Sequence, residues 1–84
     1  MSNPISDEVD LHRLTIDEAA EKLDKYLHDA YVAGYSSVRV VHGKGTGVLR
    51  IMVSRELAGH PLVSSHRPGG RGEGGDGVTV VELA

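Results

Sequence analysis

The sequence predicts an α/β (α+β) two-layer domain of order βαβαββ, a four-stranded mixed sheet with two helices packed on one face. Three observations carry this. Two amphipathic stretches of helical period, Ile16–Tyr31 and Val48–Leu57, are each followed by a glycine. A β-branched strand, a glycine turn and a helix follow one another without a gap from Val38 to Leu49. A last apolar run, Val78-Thr79-Val80-Val81-Glu82-Leu83, closes the chain after a glycine-rich loop.

Residues 1–7 read as a flexible N-terminal segment and 8–84 as a single domain, because 84 residues supply material for one small core. Val9-Asp10-Leu11-His12 alternates as a short strand, with Val9 and Leu11 on one face and Asp10 and His12 on the other. Thr15-Ile16-Asp17-Glu18 has the spacing of a capping box. Ile16, Ala19, Ala20, Leu23, Leu27, Ala30 and Tyr31 then recur on one helical face up to Gly34, a helix stop. Ser37 to His42 is the second strand. Val48, Leu49, Met52, Val53 and Leu57 mark a second helix that ends at Gly59, and Pro61 bars its continuation. A third strand starts at Leu62 and runs towards Arg67. Gly69 to Gly77 holds six glycines in nine residues and reads as a mobile flap or an unordered hairpin connection.

The stretch Val38-Arg39-Val40-Val41-His42-Gly43-Lys44-Gly45-Thr46-Gly47 carries the chemistry. Glycines let a ligand approach backbone N–H groups, and the helix that follows presents unpaired donors and its positive dipole end to phosphate. His42 and Lys44 stand at the mouth of that seat. The Walker pattern is absent, because Lys44 lies between glycines with no hydroxyl residue directly after it. The dinucleotide pattern also fails, because the glycines are spaced by two. A polymer's phosphate backbone fits better than a nucleotide cofactor.

Composition narrows the partner. Net charge is −3, but residues 1–38 hold eight acidic and three basic side chains, whereas 39–71 hold six basic ones against Glu56 alone. The basic half contains the glycine loop, and local field governs ligand approach more than the total does. Three tyrosines and no Phe or Trp leave no aromatic platform for stacking unpaired bases. There is no cysteine, and hence no disulfide or thiolate zinc site. With no apolar run of roughly 20 residues and no signal pattern at Met1-Ser2-Asn3-Pro4, a cytoplasmic protein without membrane contact is expected.

If the first two strands are parallel neighbours, His12 and His42 meet at their carboxyl ends, the edge where open α/β sheets bind ligands. The candidate catalytic residues are Asp10, His12 and His42: a histidine serves as acid or base near neutral pH, and Asp10 orients it. The phosphate-binding set is Arg13, Gly43, Lys44, Gly45, Thr46, Gly47 and Arg50, with His66 and Arg67 a further pair where the glycine loop opens. Two histidines and one aspartate could also take a divalent ion, but one carboxylate beside histidines makes a poor magnesium site, so no cofactor is expected. His28 reads as solvated, and His60 as a helix C-terminal residue favoured by the dipole.

Asp10-Leu11-His12 after Val9, then His42-Gly43-Lys44-Gly45-Thr46-Gly47, then Gly74-Gly75-Asp76-Gly77-Val78-Thr79-Val80-Val81, resemble the three signature segments of the Smr (small MutS-related) domain. The resemblance spans residues 8–83, and His60-Pro61-Leu62-Val63 with the glycine loop is most like the form that ends a bacterial MutS-like protein. It implies a fold similar to the C-terminal domain of translation initiation factor three. It also implies a DNA-nicking or RNA-cleaving endonuclease, and a monomeric module whose ATPase and coiled-coil parts lie upstream. Full-length relatives act in recombination suppression or ribosome rescue. The family usually has glycine after Asp-Leu-His, where this chain has Arg13. Two classes stay open on sequence: a nuclease of DNA or RNA, and a non-catalytic nucleic-acid or ribosome-binding module that positions its parent protein.

Overall fold

A computed structural model describes residues 5–84. Strand β1 (Glu8–Asp10) pairs in parallel with β2 (Ser37–Val41), Val9 lying opposite Val40, and helix α1 (Ile16–Val32) connects them. Helix α2 (Val48–Ala58) leads into β3 (Val63–Pro68), and β4 (Val78–Leu83) inserts between β2 and β3, antiparallel to both. The sheet order is β1-β2-β4-β3, so the βαβαββ mixed sheet is the one expected.

Helix α1 starts where the capping box places it. Thr15 Oγ1 accepts the Glu18 N–H at 3.2 Å, and the Glu18 carboxylate accepts the Thr15 N–H at 3.0 Å. It ends at Ala33, with Gly34 in the left-handed region. Its buried stripe is Ala19, Leu23, Tyr26, Leu27 and Ala30. Ile16 and Tyr31, expected on that stripe, are exposed. Tyr26 takes a core place because its ring packs inward while its hydroxyl reaches the Ser6 carbonyl at 2.6 Å. That burial raises the Tyr26 hydroxyl to about 12. Residues 5–7 are anchored: the Tyr35 hydroxyl donates to the Ile5 carbonyl, and the Arg39 N–H donates to the Asp7 carbonyl at 2.8 Å. Residues 1–4 of the expected flexible segment lie outside the described residues.

Val38 and Val81 lie opposite each other on the inner face of the sheet, and with Leu11, Leu23, Leu27, Val40, Val53 and Leu57 they are almost fully buried between sheet and helices. On the outer face Val80 is flanked in register by Arg39 and Arg67. The glycine loop folds over Val78, which is buried, and a Cβ at Gly74 would collide with that side chain. Gly74 also has φ +99°, so glycine is required there on both counts.

The loop is therefore ordered, which corrects the expectation of a flap or an unordered connection. Arg67 Nη1 and Nη2 each donate to a Glu73 carboxylate oxygen at 2.8 Å, and Glu73 also accepts the Gly70 N–H at 2.9 Å. The Gly69 N–H donates to the Val78 carbonyl at 2.8 Å, and a 3-10 turn at Gly75–Gly77 leads into β4. The third strand also runs one residue further than expected, through Pro68, at the sheet edge where a missing N–H is tolerated.

Candidate functional site

The parallel pairing puts Asp10 opposite Val41, so the chain leaves both strands at one edge, with His12 and His42 just beyond. The two histidines have opposite fates there. His12 follows the outward alternation of Asp10 and stays half exposed. His42 continues the inward series of Val38 and Val40, and only 4% of it is accessible.

Asp10 and His12 form a tight pair. The Asp10 carboxylate accepts from His12 Nδ1 and from the His12 backbone N–H, the latter at 3.0 Å. The side-chain bond to His12 is the main reason Asp10 is held below the usual carboxylate range. With Asp10 ionised, Nδ1 carries the proton and Nε2 is left with a free lone pair. The Lys22 ammonium donates to the Asp10 carbonyl at 3.1 Å and fixes the backbone behind the pair.

His42 is locked in place. Its Nδ1–H donates to the Gly43 carbonyl at 3.0 Å, and its Nε2 accepts the Thr79 hydroxyl at 2.9 Å. The expectation of a reacting group at the mouth of the seat is corrected to a buried one beneath it, because strand alternation turns it inward. The backbone N–H groups of His42 and Gly43 both donate to the Gly77 carbonyl at 3.0 Å, so the chain around residue 77 closes the cradle from below. Gly43 has φ +80°, and a Cβ there would lie 3.4 Å from the His12 Cβ. Thr79 escaped sequence reasoning, although a lone hydroxyl on the same strand face as Val81 and Leu83 is the signal of a buried polar partner.

Around a cavity of about 520 Å³ stand His12, Arg13, His42, the whole run Gly43 to Gly47, and Arg50. Gly47 caps α2 with no side-chain bond; the Val48 N–H donates to Thr46 Oγ1 at 3.4 Å, which leaves the Leu49 and Arg50 amides of the first turn for a ligand. Among the described residues Arg13, Lys44 and Arg50 make no ion pair, so their charge is available. Arg50 folds back so that its Nη2 would lie 3.4 Å from a Cβ on Gly47. Arg13 has φ +70°, alone among the described non-glycine residues, a strained state for a long side chain. Leu14, Thr15, Ile16, Val48 and Leu49 complete the wall.

His66 and Arg67 are not brought to this cavity. They line a smaller neighbouring one of about 200 Å³ that shares Arg50. Arg67 is held by Glu73, which drives that carboxyl down to about 2. Among the described residues one trio of metal-ligand type converges, Asp24, His28 and His60, and it lies outside both cavities. His60 sits just past the C-terminal end of α2, as expected, with its side chain largely covered. Its Nδ1 accepts the Leu62 N–H at 3.1 Å, so its Nε2–H donates to Asp24 at 2.9 Å and is not a ligand lone pair. His28 packs edge-on against it. Among the described residues no helix is long and apolar enough to cross a membrane.

Known proteins resemble this chain in sequence and in fold. "Endonuclease MutS2" of Pelotomaculum thermopropionicum is 59% identical over 80 residues, which cover 95% of this chain and 10% of that protein. "Endonuclease MutS2" of Clostridium beijerinckii is 56% identical over 79 residues, 94% of this chain and 10% of the relative. The chain thus spans about a tenth of the length of these curated relatives. The crystal structure of the Smr domain of Thermus thermophilus MutS2 superposes with a TM-score of 0.89 at 45% identity, covering 92% of this chain and 96% of that one. YdaL, a stand-alone small MutS-related protein from Escherichia coli, shares the fold with a TM-score of 0.86 at 24% identity, over 90% of this chain and 63% of its own. The Smr domain family itself matches residues 9–84, and with the glycine cradle, β4 and all of β1 but Glu8 inside that span, this chain belongs to the Smr domain family.

Proposed function

We propose that this domain binds a nucleic-acid strand and cleaves one phosphodiester bond, acting as a nicking endonuclease on DNA or RNA. The observation that carries the reading is the Asp10–His12 pair facing a basic glycine cradle with its Nε2 free. His12 Nε2 takes the proton of the attacking oxygen, water or a ribose hydroxyl, as that oxygen bonds to phosphorus and the P–O bond to the leaving oxygen breaks. Lys44, Arg13 and the loop amides hold the non-bridging oxygens, where negative charge builds. Asp10 keeps the imidazole in the required tautomer, and His42 positions the cradle rather than touching substrate. That the MutS2 relatives are named endonucleases supports the reading. Its setting is a larger MutS-like parent in the cytoplasm, with an ATPase part, acting in recombination suppression or ribosome rescue.

One experiment tests this directly. The 84-residue domain is incubated with end-labelled single- and double-stranded DNA and RNA, with and without EDTA, beside His12→Gln. Cleavage that persists in EDTA and falls by roughly 10²–10⁴ in the variant is expected. Equal cleavage by both proteins would remove His12 from the chemistry.

A second reading rests on His42. With both its nitrogens engaged, the edge offers one free acid–base group instead of two. A non-catalytic module that grips nucleic acid or the ribosome for its parent protein needs no second one. Lys44-dependent binding with no product under any condition would favour it.

A further inference from the structure

The cavity above the glycine loop is too large and too apolar for a phosphate alone. Its volume of about 520 Å³ falls in the range of roughly 300–1,000 Å³ that holds whole small molecules. One side is cationic and rich in backbone donors. The other is aliphatic: Leu14 and Leu49 are half-buried against the core, while Ile16 is 40% and Val48 51% exposed at the rim. Ile16 and Val48 are the first residues of α1 and α2, so two helix starts bring these side chains to one rim. An apolar wall left open beside a charged cradle marks a place where an apolar part of a ligand belongs.

We infer that this wall seats the unpaired base of the nucleotide whose phosphate rests on the Gly43–Gly47 loop, which makes single-stranded nucleic acid the preferred substrate. The inference rests on the phosphate-binding reading above and extends it. A base joined to the bound phosphate through one sugar comes within reach of the opposite wall of the same cavity. Aliphatic side chains contact the face of any base without reading its edges, so sequence preference is weak. A base stacked inside a duplex cannot lie on the wall unless it is extruded.

Anisotropy titrations on the whole chain test this with three labelled probes: a 12-nucleotide oligothymidine, an abasic strand of the same length, and the thymidine–adenine duplex. The oligothymidine is expected to bind more tightly than both others. Val48→Ser and Ile16→Ser, each at a rim position, are expected to weaken oligothymidine binding about fivefold, or about 1 kcal/mol, and to leave the abasic strand unchanged. Val32→Ser, at the far end of α1 and 85% exposed, is expected to alter neither. Equal affinity for the oligothymidine and the abasic strand overturns the base seat while leaving the phosphate cradle standing. So does duplex binding as tight as single-strand binding, or an equal loss on both strands in Val48→Ser. Binding of no probe, or binding indifferent to Lys44→Ala, overturns the cradle as well.

Discussion

His42 Nε2 and Thr79 Oγ1 lie 2.9 Å apart, joining the end of β2 to β4 across 37 positions of sequence. The bond is buried, and its direction follows from the other ring nitrogen: the Gly43 carbonyl can only accept, so Nδ1 carries the proton and Thr79 donates to Nε2. The pair ties the floor of the glycine cradle to the neighbouring strand.

His42→Ala is therefore expected to lower both stability and activity. It removes a buried ring and leaves the Thr79 hydroxyl without its partner, a loss of about 1–3 kcal/mol for the hydroxyl alone. Thermal unfolding followed by circular dichroism checks this. A variant that melts with the parent while losing all cleavage would return His42 to the chemistry.

Arg13→Gly should separate stability from binding. Relief of the left-handed conformation is worth about 1–2 kcal/mol, and glycine's extra freedom in the unfolded chain takes back about 0.4–1. The domain gains between about 0 and 1.6 kcal/mol, a rise of up to several degrees in Tm. Affinity for nucleic acid falls, because a free cation leaves the cavity. A variant that binds as tightly as the parent would show that Arg13 makes no phosphate contact.

The glycine loop should loosen in acid. Glu73 is depressed from 4.5 to about 2 by Arg67, so its stabilising contribution is complete above the ordinary glutamate value and is lost as pH falls from there through about 2. The Gly70 amide, which donates to Glu73, reports this by NMR: its shift is expected to titrate near pH 2. In Arg67→Ala the midpoint should return towards 4.5. A parent midpoint already at that value would mean the clamp does not hold in solution.

Lys44→Ala should weaken binding alike on all sequences and reduce the salt dependence by about one counterion. Titrations between 50 and 200 mM salt, a range over which phosphate contacts change affinity strongly, measure the slope. An unchanged slope places Lys44 away from phosphate.

Leu23→Ala should cost about 2–5 kcal/mol through the cavity it leaves, with no specific effect on the site. Leu23 is almost fully buried on the inner face of α1. Urea unfolding gives the value, and a loss below about 1 kcal/mol would mean that the core around α1 is loosely packed.

Local signals made most of the fold readable. The Thr15–Glu18 box and Gly34 bound α1 almost to the residue, and Gly59 with Pro61 bounds α2. What escaped was set by pairings distant in space. Tyr26 joined the core because Ser6, 20 positions away, takes its hydroxyl. The glycine loop is ordered because Arg67 meets Glu73, which no helical or strand period reveals. His42 is the instructive case. The alternation Val38, Val40, His42 turns its ring inward, while the glycines that follow it are the part of the turn that opens to a ligand. Asp10 and His12 were legible together because the same alternation turns both outward.

The Gly77 carbonyl that accepts the His42 and Gly43 amides sits just ahead of β4, the strand that comes last in this sequence yet lies in the interior of the sheet. The cradle therefore has no half-built form. Until that final segment docks, two donors of the loop lack their acceptor and β2 lacks one neighbour. Closure of the cradle and completion of the fold become a single event, so the amides of His42 and Gly43 should exchange with deuterium only as fast as the whole domain opens.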